Sequence, residues 1–210
     1  MKLLFIASDE MEFRGMRRRD EIRLVSNGAG THRAAAAVDA ALADFRADAI
    51  VNMGFCGALD PALRVADIVV ATTIFAEGRS FAAQSPTTAA RHRAGAVCSI
   101  GHVASTAAEK SQLHASGAIA VEMEAAGVAE RAHALGVPFF CVKSVTDLAG
   151  ETMANDFNKV LRSDGRFDTM KILASSLRRP WVRLPELVRL RRRCVLAARC
   201  LGDFIADCRF

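Results

Sequence analysis

Six short apolar runs, at residues 3–7, 22–26, 49–53, 68–71, 119–121 and 139–142, restrict this chain to few folds. They are too short for helices and tend to end in Gly, Asp, Ser or Asn. Runs that are apolar on both faces suit strands covered from both sides, so they predict a central buried sheet. Ala-rich segments of helical length lie between them. Residues 31–45 follow Gly28 and Gly30, with Thr31 expected as the N-cap. Residues 123–135 stop at Gly136-Val137-Pro138, a terminating glycine followed by a proline that cannot continue a helix. The alternation predicts an α/β fold with a mostly parallel or mixed sheet.

The end of the chain reads differently. Residues 167–177 suggest one helix, broken at Arg178-Arg179-Pro180. Residues 184–206 suggest a long amphipathic helix entered through Pro185, with Leu187, Leu190, Val195, Leu196, Leu201 and Ile205 in its apolar set. The one boundary the sequence suggests lies near Ser163-Asp164-Gly165. It divides a main unit at 1–165 from a helical C-terminal extension of the same domain at 166–210. A chain of 210 residues suffices for one substantial core and is short for two.

Charge and cysteine usage narrow the setting. Lys and Arg total 28 against 23 Asp and Glu, a net charge of +5. The excess sits in the tail, at Arg178, Arg179, Arg183, Arg189, Arg191, Arg192, Arg193 and Arg199. Such a tail fits a polyanionic or membrane-surface partner, and equally a solvated helix face. Beyond Trp181 it carries no interleaved aromatics and no recognised module, so nucleic acid is not the expected partner. The six cysteines form no C-x-x-C pair and no zinc-spaced cluster with His. Cys56, Cys98 and Cys141 sit in apolar runs and read as buried small hydrophobes, which suggests a reducing, cytoplasmic compartment. The first residues, MKLLFIASDEMEF, are too short in apolar character for a signal peptide, and no stretch is long and apolar enough to span a bilayer.

Three constellations could carry chemistry. Glu122 and Glu124, in Val121-Glu122-Met123-Glu124-Ala125-Ala126, fall at a strand-to-helix junction. Residues two apart diverge on a helix, so one carboxylate can face a cleft while the other stays structural. A carboxylate there can accept two hydrogen bonds from a diol, or simply complement the helix dipole. Asp147, in Lys143-Ser144-Val145-Thr146-Asp147, falls at the carboxyl end of a strand, where open α/β sheets bind ligands. Partly desolvated, it could act as a general acid; as a lone Asp it could equally cap a turn. Ser8-Asp9-Glu10-Met11-Glu12 ends the first strand and offers a second carboxylate, or a helix start. Asn27-Gly28-Ala29-Gly30 lacks the third glycine of a dinucleotide fingerprint. Gly54-Phe55-Cys56-Gly57 follows a strand and could bring backbone close to a ligand.

Taken in order, these segments resemble the purine nucleoside phosphorylase and nucleosidase superfamily. The resemblance runs through Glu12, Gly28-Ala29-Gly30, residues 51–59, residues 65–70, the V-E-M-E-A-A block and Ser144-Val145-Thr146-Asp147, and so covers roughly residues 1–150. It implies a single-domain nucleoside phosphorylase-like fold, a mixed sheet flanked by helices, carrying the amphipathic tail. It also implies cleavage of the N-glycosidic bond of a purine nucleoside. Glu124 would bind the ribose hydroxyls, Met123 would pack under the sugar, and Val121, Gly54 and Phe55 would line the site. Asp147 would protonate purine N7, and an oxocarbenium-like ribosyl cation would be trapped by water or phosphate. No metal or organic cofactor is implied, and a homo-oligomer is.

The acceptor and the substrate rest on departures from the family pattern. Glu12 matches the carboxylate that activates water in the methylthioadenosine/S-adenosylhomocysteine nucleosidases. The similar phosphorylases hold phosphate with an Arg and a Ser at positions that here are Asn52 and Phe55. A phosphate dianion would lose both partners, so hydrolysis is favoured; Arg33 keeps phosphorolysis open. A non-catalytic nucleoside-binding protein is the third reading. The stretch 76–96 is short, and the usual base-stacking aromatic falls near Ala107 or Ala108, with Phe55, Phe75 or Phe81 as substitutes. Residues 164–168, 177–180 and 184–187 are similar to the C-terminus of the hopanoid-associated phosphorylase-like subgroup. That resemblance implies removal of adenine from an adenosyl-lipid, with the basic helix and Trp181 meeting the inner face of the membrane.

Overall fold

The computed structural model describes residues 1–16 and 20–210. Its strands are β1 (Leu3–Ala7), β2 (Ile22–Ser26), β3 (Ala49–Ala58), β4 (Ile68–Ala76), β5 (Arg79–Ala82), β6 (Arg93–Ser99), β7 (Ala118–Glu122) and β8 (Phe139–Asp147). The helices are α1 (Thr31–Leu42), α2 (Ala107–His114), α3 (Ala125–Ala134), α4 (Thr169–Ser176) and α5 (Pro180–Asp207). Together the strands form one mixed eight-stranded sheet. β1 lies between β2 and β3, all parallel. β3 continues in parallel to β8, and β8 pairs antiparallel with β4. β4 and β6 are parallel, as are β6 and β7. The last residues of β3, Gly57 and Ala58, then pair antiparallel with Val121 and Ala120 of β7. The sheet therefore closes on itself through β3, β8, β4, β6 and β7. The open rim of that closure gathers the ends of β3, β7 and β8.

All six apolar runs are strands, and three of them run on by five residues. The runs at 49–53, 68–71 and 139–142 continue to Ala58, Ala76 and Asp147. Their extensions carry Gly, Thr, Lys, Ser and Asp, which hide a strand from a purely apolar reading. β5 and β6 are not among the six runs: β5 is Arg-Ser-Phe-Ala, and β6 opens on exposed Arg93 and Ala94, with Gly95 between them and its short apolar end Ala96-Val97-Cys98. α2 lacks an apolar stripe, but Thr106-Ala107-Ala108-Glu109 is a helix-start signal, and the Thr106 hydroxyl accepts from Glu109 N at 3.2 Å.

Two local expectations need correction. Thr31 does not cap α1: Gly30 takes that position with φ 118°, and the Thr31 hydroxyl donates to the Met123 carbonyl at 3.1 Å. The last helix begins at Pro180, whose missing N–H costs nothing at a first helical position, and Pro185 lies inside it. Residues 164–165 dock onto the glycine segment, with Ala29 N donating to the Gly165 carbonyl at 2.8 Å. A Cβ on Gly28 would lie 2.5 Å from the Asp164 carbonyl oxygen, so this approach requires glycine there.

Two apolar layers sandwich the sheet. On one face α1 and α3 pack Val38, Ala126 and Val128 against Leu4, Ile6 and Val145. They meet closely because Gly127 has no side chain; a Cβ there would lie 2.0 Å from the Thr31 carbonyl oxygen. Gly127→Ala is expected to push the helices apart and lower stability by about 1–3 kcal/mol or more, read by thermal unfolding. An unchanged melting curve would contradict this packing. On the other face α5 sets Leu201, Phe204 and Ile205 against Phe5, Val51 and Phe140. Earlier in α5 the apolar residues split: Leu187 and Leu190 face a cavity, while Trp181, Val182 and Val188 are exposed. No helix among the described residues is long and apolar enough to cross a membrane.

Candidate active site

At the rim of the closed sheet lies a cavity of about 500 Å³. Its floor comes from the ends of β3, β7 and β8 and from the turn after β1; its outer wall comes from α4, α5 and the segment before them. Glu12, Glu124, Asp147, Met123, Val121 and Phe55 all line it, although the sequence scatters them over more than 130 positions. Gly54 lies beneath.

Glu12 stands on the 3-10 turn Glu10–Phe13. Its carboxylate accepts from Ser8 N at 2.7 Å, the Ser8 hydroxyl at 3.0 Å, Asp9 N at 3.1 Å and Phe55 N at 2.8 Å. With Asp9 it forms a capping box, so the helix-start reading also holds. Burial lifts its pKa above the ordinary value, against the pull of Lys143 and of these donors. Gly54 makes room: at φ 147° its hypothetical Cβ would lie 2.6 Å from Glu12 Oε1.

The two carboxylates at the β7–α3 junction diverge. Glu122 turns inward, accepts from the N–H groups of Glu124 and Ala125 at 2.8–3.0 Å, and pairs with Lys143 at 2.8 Å. Burial works against its charge, but Lys143 and the donors win, and its pKa is lowered. Glu124 faces the cavity, accepts from Gly30 N at 3.1 Å, and stays 3.9 Å from Lys143. Burial and the Glu122 charge push its pKa up to about 8, with Lys143 only partly opposing them. Burial disfavours the Lys143 ammonium as well, yet Glu122 and the other carboxylates outweigh it and raise its pKa. One lysine thus serves three acids: it holds one ionised and leaves two poised.

Asp147 ends β8 and pairs with Lys110 of α2. The Thr146 hydroxyl donates to its Oδ1 at 3.1 Å. Burial raises its pKa, with Lys110 pulling the other way. Gly57 gives it space, since a Cβ there would lie 2.9 Å from Asp147 Oδ2. Lys110 and Lys143 are both fully buried, and sequence reading missed both. A lysine near an acid motif carries no local signal; only the fold brings each to its carboxylate.

Other expected residues fall elsewhere. Phe75 and Phe81 do not line the cavity; Phe81 packs edge-on against His133, 5.8 Å between ring centroids. Ala107 and Ala108 are off the wall too. The aromatics that do line it are Phe55, Phe157 and Phe167, the last two packed together at 5.8 Å. Arg33 is not on the wall. Asn52 is buried below it, its amide donating to the Ile6 carbonyl at 3.2 Å.

The sequence profile of the Phosphorylase superfamily matches residues 12–95 and 82–167, well over half of the chain. The chain belongs to the phosphorylase superfamily. Within this superfamily it is similar to the 5′-methylthioadenosine/S-adenosylhomocysteine nucleosidase of Pseudoalteromonas translucida, 26% identical over 172 residues, covering 68% of this chain and 73% of that one. Its fold is similar to the nucleosidase of that name from Neisseria meningitidis, solved with methylthio-immucillin-A. The TM-score is 0.71 at 19% identity, over 98% of this chain and 97% of that one. A futalosine hydrolase mutant of Helicobacter pylori gives a TM-score of 0.69 at 13% identity, over 98% and 97%. As expected from the resemblance, this superfamily member has the α/β nucleoside phosphorylase fold with a mixed sheet and a long C-terminal helix.

Proposed function

We propose that this protein cleaves the N-glycosidic bond of a purine nucleoside, adenine being the favoured base, with water as acceptor. The observation that carries this reading is the convergence of Glu12, Glu124 and Asp147 on one cavity. Asp147 protonates the leaving base at N7, so the electron pair of the C1′–N9 bond goes to a neutral leaving group. Glu124 accepts from the ribose hydroxyls and Met123 supports the sugar. Glu12 takes a proton from the water that traps the ribosyl cation. The nucleosidase names carried by its relatives support the same chemistry.

Hydrolysis is preferred over phosphorolysis on two observations. The Asn52 amide is spent on a backbone carbonyl, and Arg33 is off the cavity wall. Neither supplies the charged donors a phosphate dianion needs; among the described residues the one arginine on the wall is Arg191, on α5. The outer wall points to an apolar group on the ribose C5′ side, because Met153, Phe157, Phe167, Ile172, Leu187 and Leu190 line it. A lipid-linked adenosine of the adenosylhopane kind fits that wall, in keeping with the tail's similarity to the hopanoid-associated subgroup. Exposed Leu177, Trp181, Val182 and Val188, set among arginines, would then meet an anionic membrane surface.

The decisive assay is chromatographic detection of free adenine from adenosine, methylthioadenosine and a lipid-linked adenosine, with and without phosphate. Release without phosphate, fastest from the lipid-linked substrate, is expected. Phosphate-dependent release would make the protein a phosphorylase. No release from any substrate would leave a nucleoside-binding protein.

Glu124 adds a second measurable consequence. With its pKa raised to about 8, the free site holds Glu124 protonated at neutral pH. A carboxylate that accepts from two hydroxyls must be ionised, so binding of a nucleoside analogue releases a proton. Affinity is expected to rise with pH up to the Glu124 titration. Calorimetry in buffers of different ionisation enthalpy reads the released proton; its absence would remove Glu124 from the sugar contact.

A further inference from the structure

We infer that Lys110 is a positioning residue that acts as the proton reserve of Asp147, an inference that rests on the reaction proposed above. Lys110 lies on the inner side of α2 and is fully buried. Its ammonium donates to Asp147 Oδ2 and, at 2.9 Å, to the Leu148 carbonyl. Asp147 lines the cavity and Lys110 does not, so Lys110 sits behind the carboxylate and reaches a substrate only through it. An Asp147 locked as a carboxylate beside a fixed charge cannot protonate a leaving base. One that draws on an ammonium behind it can.

The step balances as follows. The C1′–N9 bond breaks and its electron pair passes to the base. Purine N7 takes a proton from Asp147 as Asp147 takes one from Lys110 Nζ, leaving a neutral amine beside an unchanged carboxylate. Water adds hydroxide to C1′ and gives its proton to Glu12. Loss of that proton to solvent and uptake of one by Lys110 restore the site.

The groups around the pair leave it to set the response. From β3 comes Cys56, whose thiol burial pushes well above its usual value. From α5 come Cys194, raised by burial to about 12, and Arg193. Arg193 binds Glu151 of the following loop at 2.7 and 2.9 Å and helps hold that carboxyl at about 2. On α2 itself Glu109 is paired with His102 at 2.5 Å. The thiols stay neutral and Glu151 stays neutralised between about pH 6 and 9.

Lys110→Met and Lys110→Arg separate a reserve from a structural prop. In the wild type, with Lys110 donating to Asp147, kcat/KM for adenine release is expected to keep its plateau over the range where Lys110→Met loses activity. In Lys110→Met, Asp147 must keep its own proton: activity near the wild-type level is expected at acid pH. Above the Asp147 titration it falls about tenfold per pH unit. In Lys110→Arg the guanidinium does not give up its proton, and a loss of about 100-fold at every pH is expected. Rescue by Arg, or a uniform loss in Met with an unmoved basic limb, would overturn the inference. A second measurement depends on neither variant nor on turnover: the infrared difference between wild type and Asp147→Asn. An ionised Asp147 at neutral pH is expected, and a protonated one there overturns the reserve. A wild-type protein that releases no base refutes the reaction itself, before either variant is made.

Discussion

Asp147→Asn is expected to lower kcat/KM for base release by about 10²–10⁴-fold, the usual contribution of a general acid. The amide keeps the shape of the side chain and loses the proton chemistry. It also strands the Lys110 ammonium, which is fully buried and paired with Asp147. Removing one partner of a buried pair costs about 3–5 kcal/mol, so the variant is expected to melt earlier as well. The double variant Asp147→Asn with Lys110→Met removes the orphan charge and is expected to regain stability but not turnover. That split separates a chemical role from a structural one. Activity within tenfold of wild type would remove Asp147 from the acid's place.

Lys143→Met is expected to have the largest effect on stability. Lys143 holds Glu122 at 2.8 Å inside the protein, with Glu124 at 3.9 Å. Without it, Glu122 faces burial alone, a loss of about 3–5 kcal/mol, or roughly 10 °C in melting temperature for a chain of this size. The pH dependence gives the sign. In the wild type the lowered Glu122 pKa contributes stability above the unfolded value of about 4.5, lost as pH falls through the folded value. In the variant burial raises the same pKa, so protonation relieves the strain. The stability gap between variant and wild type should therefore narrow as the solution is acidified. A gap that stays constant with pH would mean that Lys143 acts by packing and not by charge.

The sheet was legible where strands were apolar, because most of Leu3–Ala7 and of the first halves of β3 and β8 is buried on both sides and says so in composition, while the edge strand β2 is only half-buried. It was illegible in β6, whose first residues are exposed, and in the second half of β8, where Lys143, Ser144, Thr146 and Asp147 are polar yet buried. Those buried polar residues lie at or beneath the candidate site. The acids were legible by motif: Glu12, Glu124 and Asp147 stand where flanking residues mark a strand end. Their environments were not. That Glu122 would turn to Lys143 and Glu124 to the cavity depends on the closure of the sheet. The sequence reading could say only that the two would part. The aromatics of the wall were not legible because Phe157 and Phe167 arrive from a segment with no periodic pattern, tied to the site by the folding back of residues 164–165 onto Gly28 and Ala29 and by the Asn158–Val103 hydrogen bonds.

The division of the cavity between a floor on the sheet and an outer wall on the last stretch of chain has an evolutionary consequence. The carboxylates proposed to react are tied into β-pairing, helix caps and ion pairs that tolerate little change. The side chains of Phe157, Phe167, Ile172, Leu187 and Leu190 are apolar and enter no ion pair, although Phe167 bridges Leu161 through its backbone and Phe157 starts a short 3-10 turn. On the proposed reading, substitutions in that wall alter which molecules fit and leave untouched the groups that would act on them. Substrate preference would thus be free to drift through one end of the gene while the chemistry stays fixed in the other.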